Sequence, residues 1–293
     1  MPRRNGGHDL SIGAPATFAD RVHPDGLIVR WESRRHRKHL KDPAGATWWA
    51  PRTRGWWIAV LFATGSLLFA LGAVPAYAKA VGAEWDNVTF FTGSLFFTSA
   101  AFLTYREAVD AAPTADPAPP ADAASPAPNP ARRRFFVYQP GRIDWWATGV
   151  QLVGTVFFNV STGTALAADL SAQAAHQHVW RPDAIGSICF LVSSFLAWYE
   201  VCHGWAAWRP GEWSWWITLA NLAGSAAFGV SAVAAYVNPV TGQVHNSARA
   251  STQTLIGAVC FFAGSLLLMP ERTEETSGQV IAPATAAAPP APG

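Results

Sequence analysis

Charged residues are scarce in this chain. They make up 14% of its 293 residues, against about 25% in an average water-soluble domain. Cysteine is scarcer, with three residues, so a disulfide framework is excluded. No sustained heptad and no Gly-X-Y period is present, which excludes a coiled coil and a collagen. The net charge is only +2, and no global field argues for a nucleic acid or another polyanion. Residues 1–47 hold no short apolar core, so no secretory signal peptide is expected there. A Gly-rich phosphate loop, a Ser-His-Asp arrangement and paired catalytic carboxylates are missing too. None of the eight histidines sits in the middle of an apolar run, which argues against an axial haem ligand. On these grounds no enzymatic activity, no cofactor and no metal are expected.

Apolar length is what the chain has. Half of its residues are hydrophobic and 15 are Trp. A membrane-spanning helix needs roughly 20 apolar residues. Six runs approach that: about Trp56–Ala78, Val88–Tyr105, Trp145–Ala168, Ala184–Cys202, Trp215–Val237 and Ser251–Met269. The third and fifth are the weakest, because Gln151, Asn159 and Asn221 interrupt them. The runs are continuous, whereas a barrel strand alternates over about ten residues. The expected fold class is therefore all-α: a polytopic membrane protein with six transmembrane helices. Distributing the loops alternately puts 18 of the 21 basic residues on the side that holds both termini. Only Lys79, Arg181 and Arg249 fall on the other side. The positive-inside rule then predicts a cytoplasmic N-terminus and a cytoplasmic C-terminus.

A repeat runs through these segments. Trp56-Trp57, Trp145-Trp146 and Trp215-Trp216 open the first, third and fifth runs. Eight residues after each second Trp comes Gly65-Ser66, Gly154-Thr155 or Gly224-Ser225, and seven after each Gly another small residue, Gly72, Ser161 or Ser231. The second, fourth and sixth runs carry Gly93, Gly186 and Gly257, followed seven residues on by Ala100, Ser193 and Gly264. Fourteen residues after each of those glycines stands a glutamate: Glu107, Glu200 or Glu271. The spacing predicts three parallel copies of one helical hairpin. The organisation expected is a basic cytoplasmic segment over 1–54, hairpin 1 over 55–108 and an Ala/Pro-rich cytoplasmic linker over 109–144. Hairpin 2 over 145–203, hairpin 3 over 213–270 and a disordered cytoplasmic tail over 271–293 complete it.

Each element has a physical reason. Paired Trp suits a membrane interface, since indole is apolar with one donor, so the six Trp read as interfacial anchors. Small residues two turns apart let helix backbones approach closely in lipid. A glutamate at a helix C-terminus opposes the helix dipole. Arg54 and Arg142, just before two of the Trp pairs, are its natural partners, so Glu107, Glu200, Glu271, Arg54 and Arg142 read as hairpin-closing pairs. The alternative is a cation or proton site near the cytoplasmic mouth. Residues 31–41 (WESRRHRKHLK) read as either an interfacial helix on anionic lipid or a plain topology signal.

The remaining polar residues divide two ways. Gln151 and Asn221 occupy equivalent positions, with Phe62 in the first hairpin. As buried amides they hydrogen-bond between helices, or with Asn159 they line a polar path. His176 and His178, with Asp169 and Asp183, read as a solvated loop rather than a metal site. Glu200, Cys202 and His203 read as a polar helix end. Cys189 and Cys260 match Phe96 of the first hairpin, so they read as space-filling. Asn87-Val88-Thr89 fits a glycosylation sequon.

The stretch GWWIAVLFATGSLLFALGA followed by FFTGSLFFTSAAFLTYREAV, within residues 55–108, resembles the YrhK-like family of small bacterial membrane proteins. DWWATGVQLVGTVFF and SWWITLANLAGSAAFGVSA resemble divergent copies. The resemblance implies a multi-pass protein of the bacterial cytoplasmic (inner) membrane and no catalytic residues. Two functions are expected to compete. One is a structural or interaction protein, a possible homo-oligomer held by its small-residue faces. The other is a channel or small-solute/ion transporter with a polar path near Gln151, Asn159 and Asn221. The partners expected are the lipid bilayer, anionic lipid at residues 31–41 and, in a homo-oligomer, further copies of the chain; no nucleic acid is expected.

Overall fold

The computed structural model describes residues 49–111, 137–167 and 169–274, the strand segments 18–22, 27–32 and 280–283, and Arg34 and Lys38. Most of the Ala/Pro linker, most of the basic N-terminal segment and the chain after Pro283 lie outside the described residues. Six long helices follow one another. They are α1 (Arg54–Gly72), α2 (Pro75–Asp110), α3 (Ile143–Thr164), α4 (Arg181–Cys202), α5 (Trp213–Ala234) and α6 (Ser247–Glu274). A helical turn (Ala172–Ala174) and a π-helical stretch (Ala175–Trp180) lead into α4 without a break. Five helical segments are long and apolar enough to cross a membrane, counting Ala172–Cys202 as one. The sixth, α3, falls short because Gln151 and Asn159 sit among its Thr and Gly residues.

Local chemistry sets the boundaries. The Thr53 hydroxyl caps α1, accepting the Trp56 N–H at 3.3 Å. The first run was expected to continue to Ala78, but α1 ends at Gly72 and α2 restarts at Pro75. Proline suits the first turn of a helix, where its missing N–H leaves no bond unmade. Helix α2 bends at Gly82, whose φ of 82° lies in the left-handed region that glycine enters cheaply.

Packing pairs α1 with α2, α3 with α4 and α5 with α6 most closely. Contacts of α2 with α3, α4 with α5 and α6 with α1 close the six helices into a ring. Glycine permits the tight approach inside each pair. A Cβ on Gly154 would lie 3.2 Å from the Gly186 carbonyl oxygen, and one on Gly224 would lie 3.0 Å from that of Gly257. Between pairs, hydroxyls bond to each other: Ser94 to the half-buried Thr162 at 3.0 Å and, in a buried contact, Ser194 to Ser225 at 2.7 Å.

Phenylalanines fill the ring's axis in two layers. Phe69, Phe158 and Phe228 form one triangle, with ring centroids 6.3, 6.1 and 6.2 Å apart. Phe97, Phe190 and Phe261 form the other, at 6.2, 6.0 and 5.6 Å. Each ring also meets its hairpin neighbour in the other layer, at 5.4, 5.1 and 5.5 Å. Every one of these phenylalanines follows a packing glycine by four residues.

The Trp pairs repeat one geometry. Trp57, Trp146 and Trp216 donate their indole N–H to the carbonyls of Pro51, Pro140 and Pro210, at 2.9, 3.0 and 2.9 Å. Trp56 and Trp215 are buried and Trp145 is half-buried, and the three meet Trp49, Trp208 and Tyr138 respectively edge-on, at 5.2, 5.1 and 5.5 Å. The outer surface is apolar: Val153, Val156, Val160, Ile188, Val192 and Val259 all point outward. That surface suits lipid.

Outside the six helices, segments near both ends of the chain contribute strands. Strands β1 (Phe18–Val22), β2 (Leu27–Glu32) and β3 (Val280–Pro283) form an antiparallel sheet in the order β1-β2-β3. The segment expected to be a disordered tail thus begins with the end of α6 and includes a strand. The β-branched runs Ile28-Val29 and Val280-Ile281 carry that preference.

Candidate functional site: a polar vestibule at the Trp-pair end

A cavity of about 100 Å³ opens at the end of the bundle where the Trp pairs lie. The beginnings of α1, α3 and α5 and the ends of α2, α4 and α6 enclose it. Its wall carries Gln151 and Asn221, and its mouth carries Glu107, Glu200, Arg34 and Lys38. Phe261 belongs to its lining, so the Phe97-Phe190-Phe261 layer forms the floor. The volume is room for a few water molecules or a small solute.

The lining hydroxyls are occupied by backbone. Ser193 donates to the Ala147 carbonyl at 2.7 Å, Thr218 to Ser214 at 2.9 Å and Ser265 to Phe261 at 2.7 Å. The two amides differ: among the described residues neither Gln151 nor Asn221 has a hydrogen-bond partner. A partly buried amide facing a cavity calls for water or solute as its partner. Gly264 makes room for Asn221, since a Cβ there would meet the Asn221 Oδ1 at 2.8 Å.

Asn159 goes elsewhere. Its Nδ2 donates to the Thr98 hydroxyl at 2.8 Å, joining α3 to α2 in the helix contact, and it does not line the cavity. The three amides expected to act together therefore divide, two in the vestibule and one in packing.

The hairpin-closing pairs need correction. Arg54 pairs with Asp110 at 2.9 Å, not with Glu107. Arg142 pairs with the buried Asp144, its Nε reaching Oδ1 at 3.1 Å, and donates to the carbonyl of Ala111 at 3.0 Å. The reason is position. Asp110 stands almost a turn beyond Glu107, toward the mouth, where the arginine before the Trp pair can reach. Glu107 lines the cavity instead, and Glu200 and Glu271 are both 2% exposed.

Glu271 takes its counter-charges from the N-terminal segment. Arg34 grips it with two nitrogens, Nε to Oε1 at 2.9 Å and Nη2 to Oε2 at 3.3 Å. The Lys38 ammonium binds Oε2 as well. Sequence spacing could not reveal this partnership, which joins residues more than 230 positions apart.

Elsewhere the polar candidates are structural. The His176 Nδ1 lies 2.7 Å from the Val237 carbonyl, and its ring stacks on Trp180 at 4.8 Å. Cys202 contacts the Ala207 carbonyl, and His203 ends α4 in the left-handed conformation. The Asn87 amide donates to the Ala165 carbonyl at 2.7 Å. Among the described residues no three His, Cys, Asp or Glu side chains gather closely enough to hold a metal ion.

No family model, no curated protein and no solved structure matches the chain. What it does must be argued from the vestibule itself.

Two further features of the sequence carry parts of this arrangement. The six Gly-x-x-x-Phe spacings mark the axial layers. Arg34 and Lys38 stand four apart, the spacing that puts two side chains on one helix face.

Proposed function

We propose that the chain is a six-span inner-membrane protein, built from three copies of one hairpin with both termini cytoplasmic. In this reading it binds and carries a small cationic solute through a vestibule open to the cytoplasm. The convergence of Gln151 and Asn221 with Glu107 and Glu200 on one cavity carries this reading. Amides able to bond a solute and carboxylates able to attract a cation are what such a site requires. The double phenylalanine layer closes the axis beyond the cavity, so the conformation described is that of a carrier open to one side. An always-open pore would have no such floor.

The recurrent Trp–Pro carbonyl bonds, the glycine contacts and the closed ring of helices support the three-hairpin reading. The resemblance of residues 55–108 to the YrhK-like family belongs to the same proposal and rests on motif spacing. The alternative, a structural or interaction protein, rests on small-residue faces and on the lack of charges in the middle of the spans. Those faces are spent inside the hairpins, Gly154 against Gly186 and Gly224 against Gly257. A homo-oligomer would need another surface.

The test is uptake of radiolabelled guanidinium, methylammonium and sodium by proteoliposomes of the full chain. Saturable uptake of at least one cation is expected. Gln151→Leu with Asn221→Leu should reduce it roughly tenfold or more, the equivalent of losing one good solute contact, whereas Asn159→Leu should leave it unchanged. Uptake of all three no faster than in protein-free liposomes would end the carrier reading.

A further inference from the structure

The vestibule has two unlike sides. Its apolar side comes from α1 and α6, which lie against each other in the ring. Ile58 and Phe62, one turn apart on α1, line it together with Phe261 and Leu268 of α6. Leu268 packs against the cluster that holds Ile58, Phe62 and Phe261, and the Phe62 ring meets Phe97 edge-on at 5.7 Å. Helices α3, α4 and α5 supply the other side, with Thr148, Gln151, Ser193, Thr218 and Asn221. Among the described residues Ile217 is the one large apolar residue there. This polar side offers acceptors more than donors. Thr148 donates to the Asp144 carbonyl at 2.7 Å, and Thr104, on α2, donates to that of Ala100 at 2.9 Å. Ser193 and Thr218 also donate to backbone. A hydroxyl whose proton goes to the backbone has only lone pairs left for the cavity, and the Glu107 and Glu200 carboxylates add further acceptor oxygens. The two cations of the lining, Arg34 and Lys38, are directed at Glu271.

We propose that the solute is a primary alkylammonium ion with a short hydrocarbon chain, its ammonium among the acceptors and its chain against Phe62 and Leu268. This rests on the vestibule reading above and names the kind of solute. An ammonium group brings three donors and no acceptor, the complement of an acceptor-rich wall. A hydrocarbon chain laid on Ile58, Phe62 and Leu268 leaves water for an apolar surface. Sodium has nothing for that side to cover. Guanidinium carries N–H groups around its whole edge, so some of them would point at apolar side chains and go unbonded. Phe62 sets the preference. Phe62, Gln151 and Asn221 each stand five residues after the second Trp of their pair, and Phe62 is the one without a polar group.

Binding affinity reads this preference apart from transport. Dissociation constants of the purified full chain in mild detergent are measured by isothermal titration calorimetry for methyl-, ethyl- and propylammonium, guanidinium, sodium and tetramethylammonium. Each added methylene should tighten binding about fourfold, the transfer gain of one buried CH2, so propylammonium should bind about fifteenfold more tightly than methylammonium. Tetramethylammonium, a cation without an N–H, should bind more weakly than any of the three primary ions. Phe62→Gln gives α1 the side chain that α3 carries at Gln151, and it should flatten the series while methylammonium still binds. Leu268→Thr gives α6 the side chain that α2 carries at Thr104, three residues before its own glutamate, and it should lower the propyl-to-methyl ratio as well. It serves as the second variant if Phe62→Gln fails to fold by tryptophan fluorescence. No tightening from methyl to propyl in the parent would overturn the proposal and leave the vestibule standing. Tetramethylammonium binding as tightly as propylammonium, or an unchanged ratio in a folded variant, would do the same. Binding of none of these ions would overturn the vestibule reading, and the proposal with it.

Discussion

Replacing Gly154 with Ala is the sharpest probe of how the hairpins are held. A Cβ on Gly154 would stand 2.8 Å from the Cys189 Cβ, 3.0 Å from the Phe190 Cδ2 and 3.2 Å from the Gly186 carbonyl oxygen. Two of those three neighbours cannot swing away, because a Cβ and a carbonyl move only with their backbone. Relief requires α3 and α4 to separate by several tenths of an ångström along their shared face. Overpacking of this kind costs about 1–3 kcal/mol. Alanine otherwise gains about 0.5–1 kcal/mol over glycine inside a helix. Gly229, within α5, isolates that gain, since a Cβ there meets nothing within 4 Å. The two substitutions are chemically identical and share the helix gain, so their effects should differ by the overpacking cost alone, about 1–3 kcal/mol. At roughly 2–4 °C per kcal/mol for a chain of comparable size, the melting temperatures should stand about 2–12 °C apart. The assay is thermal unfolding in a mild detergent, followed by intrinsic tryptophan fluorescence and by loss of the monodisperse chromatographic peak. Cys189→Ala should not rescue Gly154→Ala, because alanine keeps the Cβ that causes the clash. If Gly154→Ala melts as high as Gly229→Ala, close glycine contact does not hold the hairpin and the packing argument is wrong.

Two further outcomes follow from the axis and the contacts around it. Phe190→Ala removes one ring from the layer that floors the vestibule; such truncations cost about 3–5 kcal/mol in a packed core. In proteoliposomes it should also let a sodium gradient decay faster than in the parent, and unchanged leakage would show that the phenylalanine layers are not the seal. Ser194 and Ser225 share a buried hydrogen bond of 2.7 Å between α4 and α5. Either serine changed singly to alanine strands its partner and should cost about 1–3 kcal/mol, while the double change should be closer to neutral. Additive losses in that thermodynamic cycle would mean that the two hydroxyls do not depend on each other.

The parts of the fold legible in sequence are those fixed by local spacing. Trp pairs, glycines and apolar runs mark the helices, because each signal acts within a few turns of itself. The end of the first helix was misplaced by six residues, at Gly72 rather than Ala78. Hydrophobicity continues through that turn, and Pro75, compatible with a helix start as well as with a break, decides it. The ion pairs were misassigned for another reason. Glu107 and Asp110 lie three residues apart, and sequence alone cannot say which of them faces the axis and which the arginine before the Trp pair. Nor could it give Glu271 its partners in a basic segment at the far end of the chain. The amides divided because Gln151 and Asn221 occupy equivalent positions, whereas Asn159 lies eight residues beyond Gln151 and meets Thr98 across a helix contact.

On the three-hairpin reading, the positions the copies share and those they do not follow different physics. Six glycines, six phenylalanines and three glutamates recur at fixed spacing. Each glycine in close contact is held by geometry, since an added Cβ at Gly65, Gly93, Gly154, Gly186, Gly224 or Gly257 meets a neighbour at 2.8–3.1 Å. The phenylalanines are held by one another, since a ring lost from either triangle leaves a void that its neighbours cannot fill. Three residues before the glycine of each first helix the copies differ: Phe62, Gln151 and Asn221. These side chains face the cavity. The small residues in the matching place on the second helices differ as well, Ala100, Ser193 and Gly264. Packing does not dictate what stands at a cavity wall, so polarity introduced there in two copies of three answers to something other than stability. A vestibule with one apolar and two amide walls has lost the threefold sameness of its frame. Such a site would hold an unsymmetrical solute in one orientation, and the uptake panel should accordingly favour methylammonium or guanidinium over spherical sodium.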